Sequence, residues 1–169
     1  HEASPQEIDA WVARWRGQAR RVVAIGGGSV LDAAKAFSAL VEHPLPTLRY
    51  MEKVGDSKIS SATLPLIAIP TTAGTGSECT PFTIISDANT GMKWPLIGYE
   101  MMPEMAIIDA DNMMKLPPRA TQASGYDVLT HAVEAYVSTF ATEYTNGMCR
   151  DATKMVFDYL PRAYRSAFR

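Results

Sequence analysis

Two short β-branched runs, Val22-Val23-Ala24-Ile25 and Leu66-Ile67-Ala68-Ile69, each lead directly into a turn rich in small residues. The first turn is Gly26-Gly27-Gly28-Ser29, and the second is Pro70-Thr71-Thr72-Ala73-Gly74-Thr75-Gly76-Ser77-Glu78. A continuous apolar run of this length suits a buried strand of a parallel sheet. Small residues just past such a strand let backbone N–H groups approach a phosphate closely. Ligands of open α/β sheets bind at the carboxyl ends of strands, so two such turns can serve one ligand. For each turn alone, tight β-to-α geometry explains the glycines equally well. The first turn also lacks the G-x-G-x-x-G spacing of the usual dinucleotide fingerprint.

The intervening pattern supports an α/β reading. Pro5 behind Ser4 opens a helix over 5–19, with Ile8, Trp11, Val12 and Trp15 at helical spacing. A second helix covers Val30 to Val41 with Leu31, Ala34, Phe37 and Val41 inward; Ser29 is its expected cap, with Asp32 in capping-box position. Pro44 and Pro46 end it and begin a polar connection that runs to Ala62. The next strand is expected over Leu64 to Ile69. Phe82 to Ser86 and Trp94 to Ile97 read as strands around an Asp87–Gly91 turn, and Met105 to Asp109 as one more. After Pro117-Pro118 the strand signal ends. Helical periodicity fills 119–137 and 143–168, separated by a polar turn near Ser138–Glu143. Strands alternating with helices, then helices alone, place an α/β domain over 1–116 and a helical one over 117–169.

Composition narrows the function classes. Net charge is −2, and no basic cluster prepares the chain for nucleic acid. No apolar run reaches the roughly 18 residues of a membrane span. Cys79 and Cys149 lack metal-type spacing and fit thiols of a cytoplasmic protein. The chain starts at His1 rather than at methionine, which reads as a start within a longer protein or after processing.

Asp127 and His131 stand at i and i+4 in the first of the late helices, with Glu134 three residues on. That spacing puts a carboxylate and an imidazole on one helical face, a pairing suited to Fe²⁺ or Zn²⁺. Leu129, Val133 and Tyr136 are the expected packing residues of that helix. By itself Asp-x-x-x-His is more often a surface ion pair, and catalytic metal sites use three or more protein ligands. His43 sits at the end of the second helix and is a poor third candidate.

Four motifs in order now stand together: Gly26-Gly27-Gly28-Ser29-x-x-Asp32-x-x-Lys35, the 70–78 turn, Lys93 with Pro103 and Asp109, and Gly125-x-Asp127-x-x-Thr130-His131-Ala132-x-Glu134-Ala135-Tyr136. Their order and spacing resemble the iron-containing alcohol dehydrogenase family. Glu42-His43-Pro44, Pro81-Phe82, the Asp87–Gly91 turn and Lys93 to Leu96 are most similar to the alcohol-dehydrogenase part of bifunctional aldehyde-alcohol dehydrogenases.

The resemblance implies an N-terminal Rossmann-like nucleotide domain, here incomplete, followed by the start of an all-α metal-binding domain, with the active site in the cleft between them. It implies Gly27, Gly28 and Ser29 at the nucleotide pyrophosphate, Asp32 among the cofactor-binding residues, and Thr71, Thr72, Thr75 and Thr80 on the nicotinamide side. Ile84 would pack nearby and Lys93 would reach the ribose. Asp127 and His131 would be the first two of four metal ligands, with Glu134 outside the ligand set. The implied cofactors are NAD (or NADP) and Fe²⁺, with Zn²⁺ as the alternative. The implied partners are a small alcohol or aldehyde and further copies of the chain. The family's acidic residue that separates NAD from NADP, and its two further histidine ligands, would lie outside these residues, so the chain resembles the middle of a family member. Tyr126 and Val128 stand where other residues are more usual. No general base is assigned. The alternatives are a nucleotide-binding fragment without catalysis, a purely structural or assembly fragment, and a same-fold relative such as a glycerol dehydrogenase, a maleylacetate reductase or a hydroxyacid–oxoacid transhydrogenase. The late helices are expected to expose apolar faces.

Overall fold

A computed structural model describes residues 2–60, 62–87 and 90–167. The chain divides into two compact units: His1–Pro70 with Gly76–Ile108, and Thr71–Thr75 with Asp109–Arg169. Sequence pattern placed the division near Leu116, where the prolines stop the strand signal. In the structure it falls after Ile108, and the threonine turn joins the second unit.

In the first unit, α1 (Pro5–Trp15) begins with a reciprocal cap: the Glu7 amide donates to Ser4 Oγ at 3.3 Å, and the Ser4 amide to Glu7 Oε2 at 2.8 Å. The helix stops at Trp15 rather than at residue 19, because Gly17 takes a positive φ of 73°. Ile8 and Val12 are fully buried, whereas Trp11 and Trp15 on the neighbouring positions remain over a third exposed.

Strand β1 (Val22–Gly26) pairs in parallel with β2 (Leu66–Pro70), and β2 pairs in parallel with the short β5 (Met105–Ala106). Strand β5 is shorter than the expected Met105–Asp109, since Asp109 begins a 3₁₀ turn by accepting the Asp111 amide. Strands β3 (Phe82–Ser86) and β4 (Lys93–Ile97) form a separate antiparallel pair. Ala88 and Asn89 of the expected turn between them lie outside the described residues.

Helix α2 (Gly28–Leu40) joins β1 to the core and buries Leu31, Ala36, Ala39 and Leu40. The core cluster gathers these last three with Ile8, Val12, Ile85, Leu96 and Met101. The region from His43 to Ile59, read as a loose polar connection, contributes buried Tyr50, Met51 and Ile59 to the same core. Arg16 closes the carboxyl end of α2: its guanidinium donates to the Val41 carbonyl at 2.9 Å and to those of Leu40 and His43.

The second unit is a helical pair, α3 (Pro118–Val137) and α4 (Glu143–Ser166). Thr142 caps α4 by accepting the Thr145 amide at 3.2 Å. Phe168, at the end of the expected helix, lies outside the described residues. The pair packs closely at Gly125, where an added Cβ would stand 2.3 Å from Leu160 Cδ1. On α3 the buried apolar residue is Ala132, while Val133 and Tyr136 stay about half exposed. Phe140, Met148 and Phe157 are likewise exposed, as the sequence led one to expect. No described helix is long and apolar enough to cross a membrane.

Candidate functional site

Helix α2 starts two residues earlier than its polar residues indicate. Gly27 is the N-cap and supplies no side-chain cap; its carbonyl accepts the amides of Val30 and Leu31 at 3.0 and 3.1 Å. The amides of Gly28 and Ser29 precede these bonds and have no acceptor within the helix. The Ser29–Asp32 capping box is therefore not formed. Ser29 lies inside the first turn instead of before it, and its side chain is exposed. What results is an uncapped helix end, positive in potential, directly behind a parallel strand.

Asp32 points elsewhere. Its Oδ1 accepts Ser77 Oγ–H at 2.5 Å and its Oδ2 accepts the Ile84 amide at 3.0 Å. Its carbonyl accepts Thr83 Oγ1–H at 2.7 Å. Both carboxylate oxygens, expected near a cofactor, are thus engaged by protein donors of the Ser77–Ile84 segment. Beside it, Lys35 is fully buried. Its ammonium donates to the carbonyls of Ser77 (2.8 Å), Thr80 (3.2 Å) and Phe82 (2.5 Å) and to Thr80 Oγ1 (3.0 Å), and lies 3.6 Å from Asp32 Oδ1. Burial pushes the Lys35 pKa below the usual lysine value, against the opposing pull of Asp32. Lys35 was visible only as part of a motif. Its inward helical position was a signal, but a lone lysine on an inward face reads by default as a stem reaching for solvent.

The threonine turn is split. Thr71, Thr72 and Thr75 lie in the second unit, where Gly74 backs onto α3 so closely that a Cβ would stand 2.9 Å from Ser124 Cβ and 3.0 Å from Ser124 Cα. The hydroxyls of Thr71 and Thr72 have no hydrogen-bond partner among the described residues. Thr80 and Ile84 belong to the first unit. So does Lys93, whose ammonium donates to Glu2 Oε1 at 2.6 Å. That bond and one from Ser86 Oγ hold the Glu2 carboxyl below its usual pKa.

On α3, Asp127 Oδ1 and His131 Nε2 are 3.7 Å apart, and both side chains are partly exposed. Two ligands of one tetrahedral ion, at about 2.0–2.2 Å from it, sit roughly 3.4 Å from each other. The pair therefore fits a shared divalent ion with little movement, and its O/N donor set suits Fe²⁺ or Zn²⁺. Glu134 does not join it: among the described residues no group of three His, Cys, Asp or Glu side chains is gathered. His43 is buried and occupied structurally. Its Nδ1 lies 2.7 Å from the Ala39 carbonyl, and its Nε2 accepts the Ser60 amide at 2.8 Å, a pattern that assigns the Nδ1–H tautomer.

Comparison with known proteins identifies a family. The profile described as iron-containing alcohol dehydrogenase matches residues 1–110, and that of the family's C-terminal part matches 121–167. The chain is 48% identical over 151 residues to aldehyde-alcohol dehydrogenase 2 of Entamoeba histolytica, covering 85% of this chain and 17% of that protein. It is 48% identical over 142 residues to a probable alcohol dehydrogenase of Salmonella typhimurium, covering 84% of this chain and 35% of the relative. The crystal structure of sulfoacetaldehyde reductase from Bifidobacterium kashiwanohense in complex with NAD⁺ superposes with a TM-score of 0.89 at 32% identity, over 97% of this chain and 44% of that one. The chain thus spans less than half the length of each of these proteins. With its glycine turn ahead of an uncapped helix and its Asp–His pair on a later one, the chain belongs to the iron-containing alcohol dehydrogenase family.

Proposed function

We propose that this chain supplies the nucleotide-holding part, and two metal donors, of an NAD-linked oxidoreductase that interconverts a small alcohol and its aldehyde or ketone. The observation that carries this reading is the uncapped start of α2. Gly27 takes the cap position without a side-chain acceptor, which leaves the Gly28 and Ser29 amides for an anionic ligand. The NAD⁺ complex of a 32%-identical relative supports a pyrophosphate as that anion.

The roles follow from the chemistry of each residue. Gly28 and Ser29 donate backbone N–H bonds to the pyrophosphate. Thr71, Thr72, Thr75 and Thr80 offer hydroxyls to the nicotinamide end, Ile84 offers it an apolar contact, and Lys93 exchanges Glu2 for ribose oxygens. Asp127 and His131 hold the metal, together with donors from outside the described residues. When bound, a divalent ion supplies Lewis acidity that lowers the alcohol's pKa, while the nicotinamide carries the hydride. The chain's own share is to hold and orient these groups.

The test is a fluorescence titration of the chain with NADH, followed by an assay of ethanol oxidation in the presence of Fe²⁺ or Zn²⁺. Saturable binding that is lost in Gly28→Val supports the phosphate assignment, because a branched side chain obstructs approach to the helix end. Absence of saturable binding refutes it. Binding without turnover makes the chain a nucleotide-binding piece.

A further inference from the structure

A charged side chain with no exposed surface, bonded to an irregular segment, is a costly way to fill space. An apolar side chain of similar volume commonly replaces a buried ion pair without loss of stability. Lys35 is such a group. Four oxygens from Ser77, Thr80 and Phe82 lie within 3.2 Å of its Nζ, more than its three protons can each serve singly. Asp32 completes the arrangement by taking Ser77 Oγ and the Ile84 amide. The Ser77–Phe82 segment is thereby tied to α2, and its last residues also meet β4 and the Gly98 that follows it, through Phe82 and Pro81.

Two consequences follow for the nucleotide site. Lys35 lies six residues beyond Ser29 on the same helix, about 9 Å along its axis. The helix that presents the phosphate-binding amides thus also sets the position of Thr80. In addition, the Thr80 hydroxyl accepts from the Lys35 ammonium at 3.0 Å, while its only acceptor among the described residues is the Ser77 carbonyl at 3.5 Å. With a lone pair committed and its proton held by a long bond, the hydroxyl is prepared to donate to an incoming acceptor.

We propose that Lys35 is a positioning residue: through the Ser77–Phe82 segment it holds Thr80 as a hydrogen-bond donor to the carboxamide end of a nicotinamide nucleotide. This assignment rests on the nucleotide reading given under Proposed function. It adds a residue that touches no ligand and a direction for the Thr80 proton.

NADH and ADP-ribose separate this role from general damage, because ADP-ribose carries the pyrophosphate but lacks the nicotinamide. In Lys35→Met, NADH affinity is expected to fall about tenfold, the equivalent of one lost hydrogen bond, while ADP-ribose affinity stays within about twofold. Thr80→Val should show the same split, and the double variant should lose little more, since the two residues act as one unit. Parallel losses for both ligands, or no loss for either, overturn the proposal. If Lys35→Met does not fold, Thr80→Val against Thr80→Ser carries the test: serine must retain NADH binding and valine lose it, and equal behaviour overturns the proposal. If the wild-type chain binds neither ligand, the nucleotide reading fails. The clamp is then judged by amide exchange in Lys35→Met, where faster exchange confined to Ser77–Phe82 supports it and unchanged exchange overturns it.

Discussion

Replacing Gly26 by alanine tests the phosphate turn through its packing. Gly26 ends β1, and a methyl built there would stand 2.6 Å from Val30 Cβ, 2.8 Å from its Cγ2 and 2.9 Å from its Cγ1. Ordinary contact for such a carbon begins near 3.4 Å, so the surroundings must yield by nearly an ångström. No rotamer change relieves this, because the nearest atom is a β-carbon fixed to the backbone and valine is stiff about χ1. The first turn of α2 must instead retreat from the strand end. Overpacking of this kind costs about 1–3 kcal/mol. The smaller conformational freedom of alanine in the unfolded chain offsets about 0.4–1 kcal/mol. A net loss of about 1–2 kcal/mol is expected. Displacing the Gly28 and Ser29 amides by a comparable distance should weaken NADH binding about tenfold or more.

The spectroscopic signals fall conveniently. All three tryptophans, Trp11, Trp15 and Trp94, belong to the first unit, so denaturant unfolding followed by tryptophan fluorescence reports on the unit that contains Gly26. The contrasting variant is Gly147→Ala in α4, where nothing lies within 4 Å of the added methyl. There, helix propensity alone should raise helical stability by up to about 1 kcal/mol, read from far-ultraviolet circular dichroism. Wild-type stability in Gly26→Ala refutes the packing argument. Lowered stability with unchanged NADH affinity refutes the assignment of the phosphate to this turn.

Two further outcomes are expected. His131→Ala should abolish Zn²⁺ or Co²⁺ uptake, measured by elemental analysis after desalting, while NADH affinity is retained; unchanged metal content removes His131 from the ligand set. The buried Lys35 makes stability depend on pH. Its folded pKa is lowered, so between that value and the ordinary lysine value the unfolded chain binds more protons than the folded one, and stability rises with pH across that window. The urea midpoint of the wild type, relative to that of Lys35→Met, should therefore climb as the pH rises toward the ordinary lysine pKa. A flat or falling difference would contradict a charge held at a desolvation cost.

Much of the architecture was legible because it rests on short-range chemistry. The β-branched runs, the Ser4–Glu7 cap, the hairpin strands and the two late helices depend on residues a few positions apart. The Asp127–His131 pair was legible for the same reason, since one turn of helix brings i and i+4 together. Yet two similar local patterns had opposite outcomes. Ser4-x-x-Glu7 forms its capping box, but Ser29-x-x-Asp32 does not. At α1 the Glu7 carboxylate turns back to the Ser4 amide and hydroxyl, whereas Asp32 is captured by Ser77 and Ile84, more than forty positions away in sequence.

By itself, then, the sequence determined which stretches are strands and helices, where the glycine turns stand, and that a carboxylate and an imidazole share one helical face. Only the tertiary structure decided that Gly27, not Ser29, begins α2; that Thr71–Thr75 pack with the helical unit; and that Lys35 lies buried among the Ser77–Phe82 carbonyls. These depend on contacts whose partners lie far apart in the chain. Periodicity and capping rules describe a residue's neighbours along the backbone, while the partner of a buried charge is set by which distant segment the fold brings to it.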